Sequence, residues 1–303
     1  MPLQFRVPPS AATHQRGKLG RLIPMNPEMD DVASLGRLQT GPSPRGISIP
    51  EFVKRYVGSG VIEPVWMNSL GGLTFRVTDK NKNLFIKWAP IDSGLDLELE
   101  RAKMEWAIAY TPVPKVVESG RDSAGAWLIS EAIKAESAVS EKWKTEPAIA
   151  VAAIGYGLRA MHDALPVELC PFAWSAEERI SKARQRVVSG ITLPGQWREE
   201  FRGLSPETVL AQLDSPPMAD QLVVCHGDAC APNTLIGSEG QWAGHVDLER
   251  LGVGERWSDI AIASWSTEWN YGPGWDGLLY DSYGISPDPE RINFYRLLWD
   301  LNE

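Results

Sequence analysis

Hydrophobic and polar positions follow a regular pattern only after the first fifty residues. Before that point Ser-Pro and Gly-Pro pairs interrupt the chain, as in TGPSPRGISIP, and no periodic pattern forms. This composition predicts a disordered leader over residues 1–48, within which Met25 or Met29 is an alternative start. The ordered protein is expected from residue 49 onwards, without an internal repeat of solenoid length.

Two apolar runs around a polar turn open the ordered part. Residues 73–77 and 84–88 flank the turn TDKNKN, which predicts a β-hairpin. Gly71 and Gly72 precede the first strand, where a backbone without side chains could lie against a phosphate, although an ordinary turn is the simpler explanation. Lys87 interrupts the apolar run LFIKW, which indicates either an anionic partner or an amine that reaches water.

A helix is predicted over residues 95–110. Its apolar stripe consists of Leu95, Leu99, Ala102, Trp106 and Ala109. Glu100 lies on the flank of that stripe, so it either turns towards Lys87 or is solvated. Two short strands, PVPKVVES and GAWLISEAI, follow, and the second ends in the expected connection between two lobes.

The second half of the chain is predicted to be mainly helical. In TEPAIAVAAIGYGLRAMHDAL we expect Thr145 as the N-cap, Pro147 in the first turn, and an apolar stripe of Val151, Ile154, Leu158, Met161 and Leu165. His162, near the end of this helix, is expected to make a structural hydrogen bond. Residues 177–190 and 205–213 predict two further helices.

A polar loop follows the buried strand QLVV and contains His226, Asp228 and Asn233. The runs NTLI and WAGHVD predict two more strands, with Asn233 at the start of one and Asp247 at the end of the other. Paired strands of this length bring an amide oxygen and a carboxylate close enough to share Mg²⁺, which needs few protein oxygens. Asp228 would then face an acceptor hydroxyl, because phosphoryl transfer requires mainly positioning and charge neutralisation.

Composition narrows the classes of partner and compartment. The net charge of -9 disfavours nucleic-acid and anionic-membrane surfaces. Three cysteines without C-x-x-C spacing suit a reduced, cytoplasmic protein. No apolar run is long enough to predict a transmembrane helix. A chain of 303 residues suits one large domain or two lobes.

The spacing of Asp228 and Asn233 equals the D-x-x-x-x-N of the kinase catalytic loop, with HVD downstream and Lys87 and Glu100 upstream. Four segments, VVCHGDACAPNTLI, GHVDLERLGVGERWSDIAIA, CPF and GISPDPERINFYRLL, resemble the aminoglycoside 3'-phosphotransferase family of antibiotic kinases. The resemblance implies an α+β, two-lobed, protein-kinase-like fold. Its small antiparallel-sheet N-lobe would bind nucleotide over residues 49–132, and its larger, mainly helical C-lobe would carry catalysis and acceptor binding over residues 133–303.

The resemblance also implies roles for the residues of the polar loop. Asp228 matches the residue that orients or deprotonates the acceptor hydroxyl, and Asn233 and Asp247 match the magnesium ligands. His226 is expected to hold the loop by hydrogen bonds rather than to transfer a proton. Arg250 either pairs with a carboxylate of the loop or lies on the surface.

On the nucleotide side, Lys87 matches the lysine on the α- and β-phosphates, paired with Glu100. Gly71 and Gly72 complete the expected nucleotide-binding set, and Ser130 to Ala132 match the adenine-binding hinge. Asp259 matches an aspartate that braces the catalytic loop, although its local sequence would also suit a helix N-cap.

The acceptor side departs from the family pattern. Its acid-rich loop is reduced to ITLPGQWREEF, which keeps only Glu199 and Glu200, and the C-terminal acids are reduced to Asp300 before the added Glu303. An arginine and a pair of acids are replaced by Trp265, Trp269 and Asn270, and Glu249 stands where the relatives have a small residue. The candidate substrate-binding residues are therefore Glu199, Glu200, Trp265, Glu268 and Asp300.

Tryptophan is frequent, with 13 residues in the chain. Five of them crowd the region expected to surround the acceptor: Trp257, Trp265, Trp269, Trp275 and Trp299. Indole faces can hold sugar rings or cations, whereas core packing is the simpler role for any one of them. Fewer acids and more indoles indicate an acceptor that is less cationic or more apolar.

The expected function is ATP- and magnesium-dependent phosphorylation of a hydroxyl on an aminoglycoside-like antibiotic. Three alternatives remain: the same chemistry on another acceptor such as a metabolite alcohol, a silent nucleotide-binding module, and a metal-dependent phosphoesterase. The combination of Lys87, Asp228, Asn233 and Asp247 argues against a silent module. The chain has four histidines, too few for a typical two-metal phosphoesterase site.

Overall fold

The structure, a computed structural model, describes residues 46–79, 82–192, 195 and 197–302. The expected leader lies outside these residues except for residues 46–48, and so does the centre of the predicted TDKNKN turn. Within the described ranges, no helix combines the length and the apolar character needed to cross a membrane.

A five-stranded antiparallel sheet with the order β1-β2-β3-β5-β4 forms the N-terminal lobe. Its strands are β1 (Val61–Met67), β2 (Leu73–Asp79), β3 (Lys82–Pro90), β4 (Val116–Arg121) and β5 (Gly125–Glu131). The predicted hairpin is confirmed, since Thr74 of β2 lies opposite Lys87 of β3. Helix α1 (Glu51–Val57) packs on one face of the sheet, against Phe75 and Ile86. Because side chains alternate along a strand, Lys87 points to the other face.

Helix α2 (Leu97–Ala107) follows β3, and Asp96 caps it by accepting a 2.9 Å hydrogen bond from the Leu99 amide. Its buried residues are Leu97, Glu100, Lys103, Met104 and Ala107. The predicted stripe was wrong, because Leu99 is 39% exposed while Glu100 is only 2% exposed. Two charged residues occupy the buried face because their partners lie on that side of the helix.

Within the described residues, the C-terminal lobe contains the remaining helices and two small sheets, β7 with β10 and β6 with β8 and β9. The helices are α3 (Glu141–Thr145), α4 (Pro147–Ala164), α5 (Ala176–Val188), α6 (Pro206–Leu213), α7 (Trp257–Tyr271), α8 (Asp276–Tyr283) and α9 (Pro289–Asn302). The strands are β6 (Glu136–Ser137), β7 (Leu222–Cys225), β8 (Thr234–Ile236), β9 (Trp242–His245) and β10 (Gly252–Glu255). The predicted α4 stripe is confirmed, because all five of its apolar residues are buried.

The predicted N-cap of α4 was wrong. Thr145 ends α3 instead, and its hydroxyl donates a 2.6 Å hydrogen bond to the Lys142 carbonyl. Helix α4 begins at Pro147, with Glu146 at the N-cap and no side-chain cap. Proline suits a first helical position because its φ is already helical and it has no amide hydrogen to satisfy there.

A shared apolar cluster joins the two lobes. Ala89, Leu97 and Leu128 contribute from the N-terminal side, and Met161, Val224, Leu248 and Leu251 contribute from the C-terminal side. Strands β8 and β9 pair antiparallel, as predicted, and β7 pairs with β10. The loops that follow β7 and β9 therefore lie beneath the face of the sheet that carries Lys87.

Candidate active site

Asp259 braces the loop that follows β7, as the sequence predicted. Its Oδ2 and Oδ1 accept hydrogen bonds from the amides of His226, at 2.6 Å, and Gly227, at 2.9 Å. The predicted structural role of His226 is confirmed too, since its Nε2 lies 2.9 Å from the Val246 carbonyl oxygen. These bonds connect the catalytic loop to helix α7 below it and to the end of β9 beside it.

His162 extends this buried brace. Its Nε2 lies 3.0 Å from Asp259 Oδ2, and its Nδ1 lies 2.8 Å from the Tyr283 hydroxyl, which confirms the expected structural role. Burial opposes the charge on Asp259, but the hydrogen bond and charge of His162 and the Gly227 amide together hold the pKa of Asp259 below its ordinary value. The brace therefore retains a buried anion under the loop.

Gly227 allows two loops to touch. Its φ is +82°, and an added Cβ would lie 2.3 Å from the Arg250 carbonyl oxygen. Only glycine fits this close approach and this left-handed backbone conformation. The charge of Arg250 also helps to lower the pKa of Asp247, so the structure places Arg250 near a carboxylate of the site.

Asp228 presents an unsatisfied oxygen. Its Oδ2 accepts from Asn233 Nδ2 at 3.3 Å, and its backbone carbonyl accepts from the same nitrogen at 2.9 Å. Its Oδ1 is buried and has no hydrogen-bond partner among the residues that the structure describes. Buried polar atoms are nearly always paired, so this oxygen suits a group that a ligand completes.

The chain segments that carry Asn233 and Asp247 are adjacent, because the Val246 amide donates a 3.0 Å hydrogen bond to the Asn233 carbonyl. The Asn233 amide nitrogen bonds to Asp228, which leaves its Oδ1 as the oxygen available to a cation. Asp247 has a φ of +66°. One amide oxygen and one carboxylate fit the hard oxygen donors that Mg²⁺ prefers, with room for water and phosphate oxygens.

Lys87 contacts two carboxylates. Its Nζ lies 2.5 Å from Glu100 Oε1 and 2.8 Å from Asp247 Oδ1, so the Lys87–Glu100 pair inferred from the sequence is present. Burial opposes the lysine charge, but Asp247 and Glu100 outweigh it and raise the pKa of Lys87. The lysine charge in turn is the main reason that the pKa of Asp247 lies below its ordinary value.

The Gly71–Gly72 turn joins β1 to β2 and is organised by Asn68. The amides of Leu70 and Gly72 donate to Asn68 Oδ1 at 3.0 and 2.7 Å, and the Gly71 amide donates to the Asn68 carbonyl at 3.1 Å. A Cβ on Gly72 would lie 2.8 Å from Asn68 Nδ2. A phosphate could bind the two glycine amides only by replacing these bonds.

Residues Ser130 to Ala132 connect β5 to the C-terminal lobe. The Glu131 amide donates to the Lys115 carbonyl and the Ala132 amide donates to the Asn83 carbonyl, each at 2.9 Å. Both amides therefore continue the pairing of β5 with its neighbours in the sheet, on the β4 side for Glu131 and with β3 for Ala132. An adenine would need the Asn83 bond to open before it could use the Ala132 amide.

The predicted tryptophan-lined region surrounds a cation of the protein itself. The Arg198 guanidinium lies 3.6 Å from the ring centroid of Trp269, 4.8 Å from that of Trp265 and 5.3 Å from that of Trp299. The Arg198 amide donates to Asp300 Oδ2 at 2.8 Å. Trp265 is only 4% exposed, so its ring packs in the core and is not open to an acceptor in this structure.

The four candidate acids do not converge on one open pocket. Glu199 is exposed, Asp300 is bonded to Arg198, and Glu200 Oε2 lies 4.0 Å from Arg296 Nη1. Glu268 lines a cleft of about 230 Å³ together with Trp275, Asp276 and Arg296. Burial raises the pKa of Glu200, the charges of Glu268 and Asp300 raise it further, and Arg296 opposes them.

Four residues that contact these groups were missed by sequence reasoning: Asn68, Lys103, Arg198 and Tyr283. Lys103 had a usable signal, because it lies one helical turn after Glu100 and therefore on the same side of α2. The other three gave none, since each contacts its partner through the tertiary fold or through a turn whose hydrogen bonds the sequence pattern does not specify.

A sheet lobe that supplies a lysine–glutamate pair, above a loop that supplies an aspartate and an asparagine, defines a phosphotransferase of the protein-kinase-like type. The model of the phosphotransferase enzyme family matches residues 69–295. An aminoglycoside 3'-phosphotransferase of Streptomyces fradiae is 37% identical over 221 residues, which cover 69% of this chain and 81% of that protein. The chain belongs to this family of aminoglycoside phosphotransferases.

Two solved structures are similar over most of their length. An aminoglycoside-3'-phosphotransferase of type VIII aligns with a TM-score of 0.69 and 29% identity, covering 82% of this chain and 96% of that one. An aminoglycoside phosphotransferase from Streptomyces rimosus, in complex with ADP and streptomycin, aligns with a TM-score of 0.67 and 28% identity, covering 83% and 96%. The predicted family and the predicted protein-kinase-like fold are confirmed.

Proposed function

We propose that the protein transfers the γ-phosphoryl group of ATP to a hydroxyl of an aminoglycoside-type antibiotic. The observation that carries the proposal is the buried Oδ1 of Asp228, which has no partner within the described part of the chain. It lies beside Asn233 in the loop that follows β7. The family, the relatives named after aminoglycosides and the ADP complex of the Streptomyces rimosus enzyme support the nucleotide donor and the acceptor class.

On the donor side, Lys87 would contact the phosphates while Glu100 keeps its amine in place. The segment Ser130 to Ala132 would lie along the adenine, and the Gly71–Gly72 turn would cover the phosphates once Asn68 releases its amides. Asn233 and Asp247 would hold Mg²⁺, which neutralises phosphate charge when bound. A cytoplasmic location, where ATP is abundant, is part of this proposal.

On the acceptor side, Asp228 would accept a hydrogen bond from the hydroxyl at Oδ1. As the hydroxyl oxygen bonds to the γ-phosphorus, the bond from that phosphorus to the β–γ bridging oxygen breaks and ADP leaves. The hydroxyl proton passes to Asp228 during transfer. The brace of Asp259 and His162 keeps the loop, and therefore this oxygen, in place.

The residues proposed to contact the acceptor are Glu199, Glu200, Glu268, Asp300 and the indole edges near Trp265. Arg198 already occupies the tryptophan faces and pairs with Asp300. We therefore propose, as the second candidate, an acceptor with fewer ammonium groups than a typical aminoglycoside, because the acids left to attract a polycation are few.

A panel experiment tests both candidates. The protein is incubated with Mg-ATP and aminoglycosides, macrolides or peptide antibiotics, and mass spectrometry detects a phosphate added to the acceptor. The variant Asp228→Asn should bind ADP normally but transfer phosphate about a thousandfold more slowly, because it cannot accept the proton. Full turnover by Asp228→Asn, or no phosphorylated product from any acceptor, would contradict the proposal.

A further inference from the structure

Lys103 lies on the buried face of α2, one turn after Glu100. It is only 6% exposed, and its Nζ donates a 2.5 Å hydrogen bond to the Glu249 backbone carbonyl. Residues three apart on a helix share a side, so α2 reaches both partners at once. Glu100 holds Lys87, and Lys103 holds the loop that begins with Asp247.

Asp247 needs support from its surroundings. Among the residues that the structure describes, it is the one non-glycine residue with a positive φ, at +66°. Such a conformation is unfavourable for a residue with a side chain and persists only where neighbouring contacts hold it. His226 holds the carbonyl of Val246 on one side of Asp247, at 2.9 Å, and Lys103 holds the carbonyl of Glu249 on the other.

The charges around Lys103 favour this contact. Burial lowers the pKa of Lys103, while the nearby carboxylates of Glu249, Glu100 and Asp96 oppose that shift. The Phe172 ring lies 5.6 Å from the lysine nitrogen.

We propose that Lys103 is a positioning residue for the magnesium–nucleotide complex: it fixes the backbone of residues 247–249 so that the Asp247 carboxylate faces the cation. This rests on the proposed function, because it assumes that Asp247 binds magnesium. Lys103 itself touches neither nucleotide nor metal in this scheme. Its effect should therefore be confined to the magnesium-dependent part of nucleotide binding.

The test compares ADP binding by isothermal titration calorimetry in saturating Mg²⁺ and in EDTA. Lys103→Met fills the same space without a donor, Lys103→Arg keeps one, and Arg101→Met is the matched control. Arg101 lies on the same helix, but its ion pairs with Glu98 and Glu105 are at the surface.

We expect Lys103→Met to reduce the magnesium-dependent gain in ADP affinity about tenfold, the effect of losing one charged hydrogen bond. Its ADP affinity in EDTA should stay within about twofold of the parent, as should both affinities of Arg101→Met. Lys103→Arg should recover most of the gain. If Lys103→Met fails to fold, Lys103→Gln replaces it in the same comparison, because the glutamine side chain is uncharged and shorter than that of lysine.

An unchanged magnesium-dependent gain in the Lys103→Met protein would overturn the inference. An equal loss with and without magnesium would also overturn it, because that result indicates a general structural role. Absence of ADP binding by the parent protein is a separate outcome, since it contradicts the proposed function itself.

Discussion

The two sides of the candidate site, the proposed donor side and the proposed acceptor side, both contain a half-buried cation, but they hold it differently. Lys87 contacts two carboxylates, Glu100 and Asp247, at 2.5 and 2.8 Å. Arg198 lies among three indoles, and its Nε lies 3.7 Å from Asp300 Oδ1. The donor side is thus built from charge pairs, and the acceptor side from aromatic faces around an internal cation.

Because of this difference, the groups proposed to carry out phosphoryl transfer are distinct from the groups proposed to select the acceptor. The charges of the donor side can position phosphates and a metal, a requirement that phosphoryl transfer to any alcohol shares. In the proposed function, the acceptor side would select the alcohol. Arg198 there contacts the aromatic faces and the Asp300 carboxylate that a ligand cation would otherwise contact.

The largest effect should come from the brace that supports both sides. Asp259→Asn removes a fully buried anion that accepts from His226, Gly227 and His162. We expect the free energy of unfolding to fall by about 3 kcal/mol, measured by urea denaturation. Asp163→Asn, which breaks only a surface pair with Arg159, should change it by less than about 0.5 kcal/mol. A similar small change for both would show that Asp259 does not support the loop.

Loss of the donor-side cation should come next. Lys87→Met removes the amine that Glu100 and Asp247 hold, so kcat/KM for ATP should fall about a hundredfold while acceptor KM changes little. Lys82→Met, an exposed position on the same strand, is the control for steady-state kinetics. If Lys87→Met changed the kinetic constants for ATP and for the acceptor equally, the two sides of the site would not act independently.

A smaller effect is expected from the acceptor-side cation. Arg198→Met removes the guanidinium from the indoles of Trp265, Trp269 and Trp299, which should lower the free energy of unfolding by about 1 kcal/mol. The same change should alter acceptor KM without altering ATP KM. Arg184→Met, at an exposed pair with Asp214, serves as the control. A change in ATP KM instead would contradict the assignment of Arg198 to the acceptor side.

The smallest expected effect is a contrast in pH dependence between Asp259 and Glu200. The pKa of Asp259 is lowered on folding, so its stabilisation is present above the ordinary aspartate pKa, about 3.9, and is lost as the pH falls through the folded value. The stability deficit of Asp259→Asn should therefore shrink in acid.

Glu200 has the opposite sign. Its pKa is raised, so its contribution is present below the ordinary glutamate pKa, about 4.3, and is lost as the pH rises through the folded value. Glu200→Gln should therefore gain stability relative to the parent as the pH rises towards neutrality. Urea unfolding across this pH range measures the free energy of unfolding of both variants relative to the parent. If the two differences changed with pH in the same direction, the predicted contrast would be wrong.

Local patterns predicted much of the fold because they depend on nearby residues. The β2–β3 hairpin follows from two apolar runs around a polar turn, and the α4 stripe follows from helical spacing. The start of α4 was predicted less well, because Pro147 can begin a helix without the side-chain cap that Thr145 was expected to provide. Local sequence rules therefore do not decide between two nearby residues as the start of a helix.

By itself, the sequence identified five residues that the fold brings to the candidate site. The order of Lys87, Glu100, Asp228, Asn233 and Asp247, with their strand and loop contexts, was sufficient to predict that they meet, and the structure brings them together. Side chains that must assemble around one phosphate are restricted to a few residue types at particular spacings, and such a pattern can be found in the sequence.

Tertiary structure alone decided how α2 is rotated and what fills the tryptophan cluster. Apolar spacing favoured the face with Leu99, but distant partners turned Glu100 and Lys103 inwards. Arg198 reaches indoles on two helices far along the chain, and no local pattern encodes that contact. Burial of a charge depends on where its partner lies in space, and only the complete fold specifies that position.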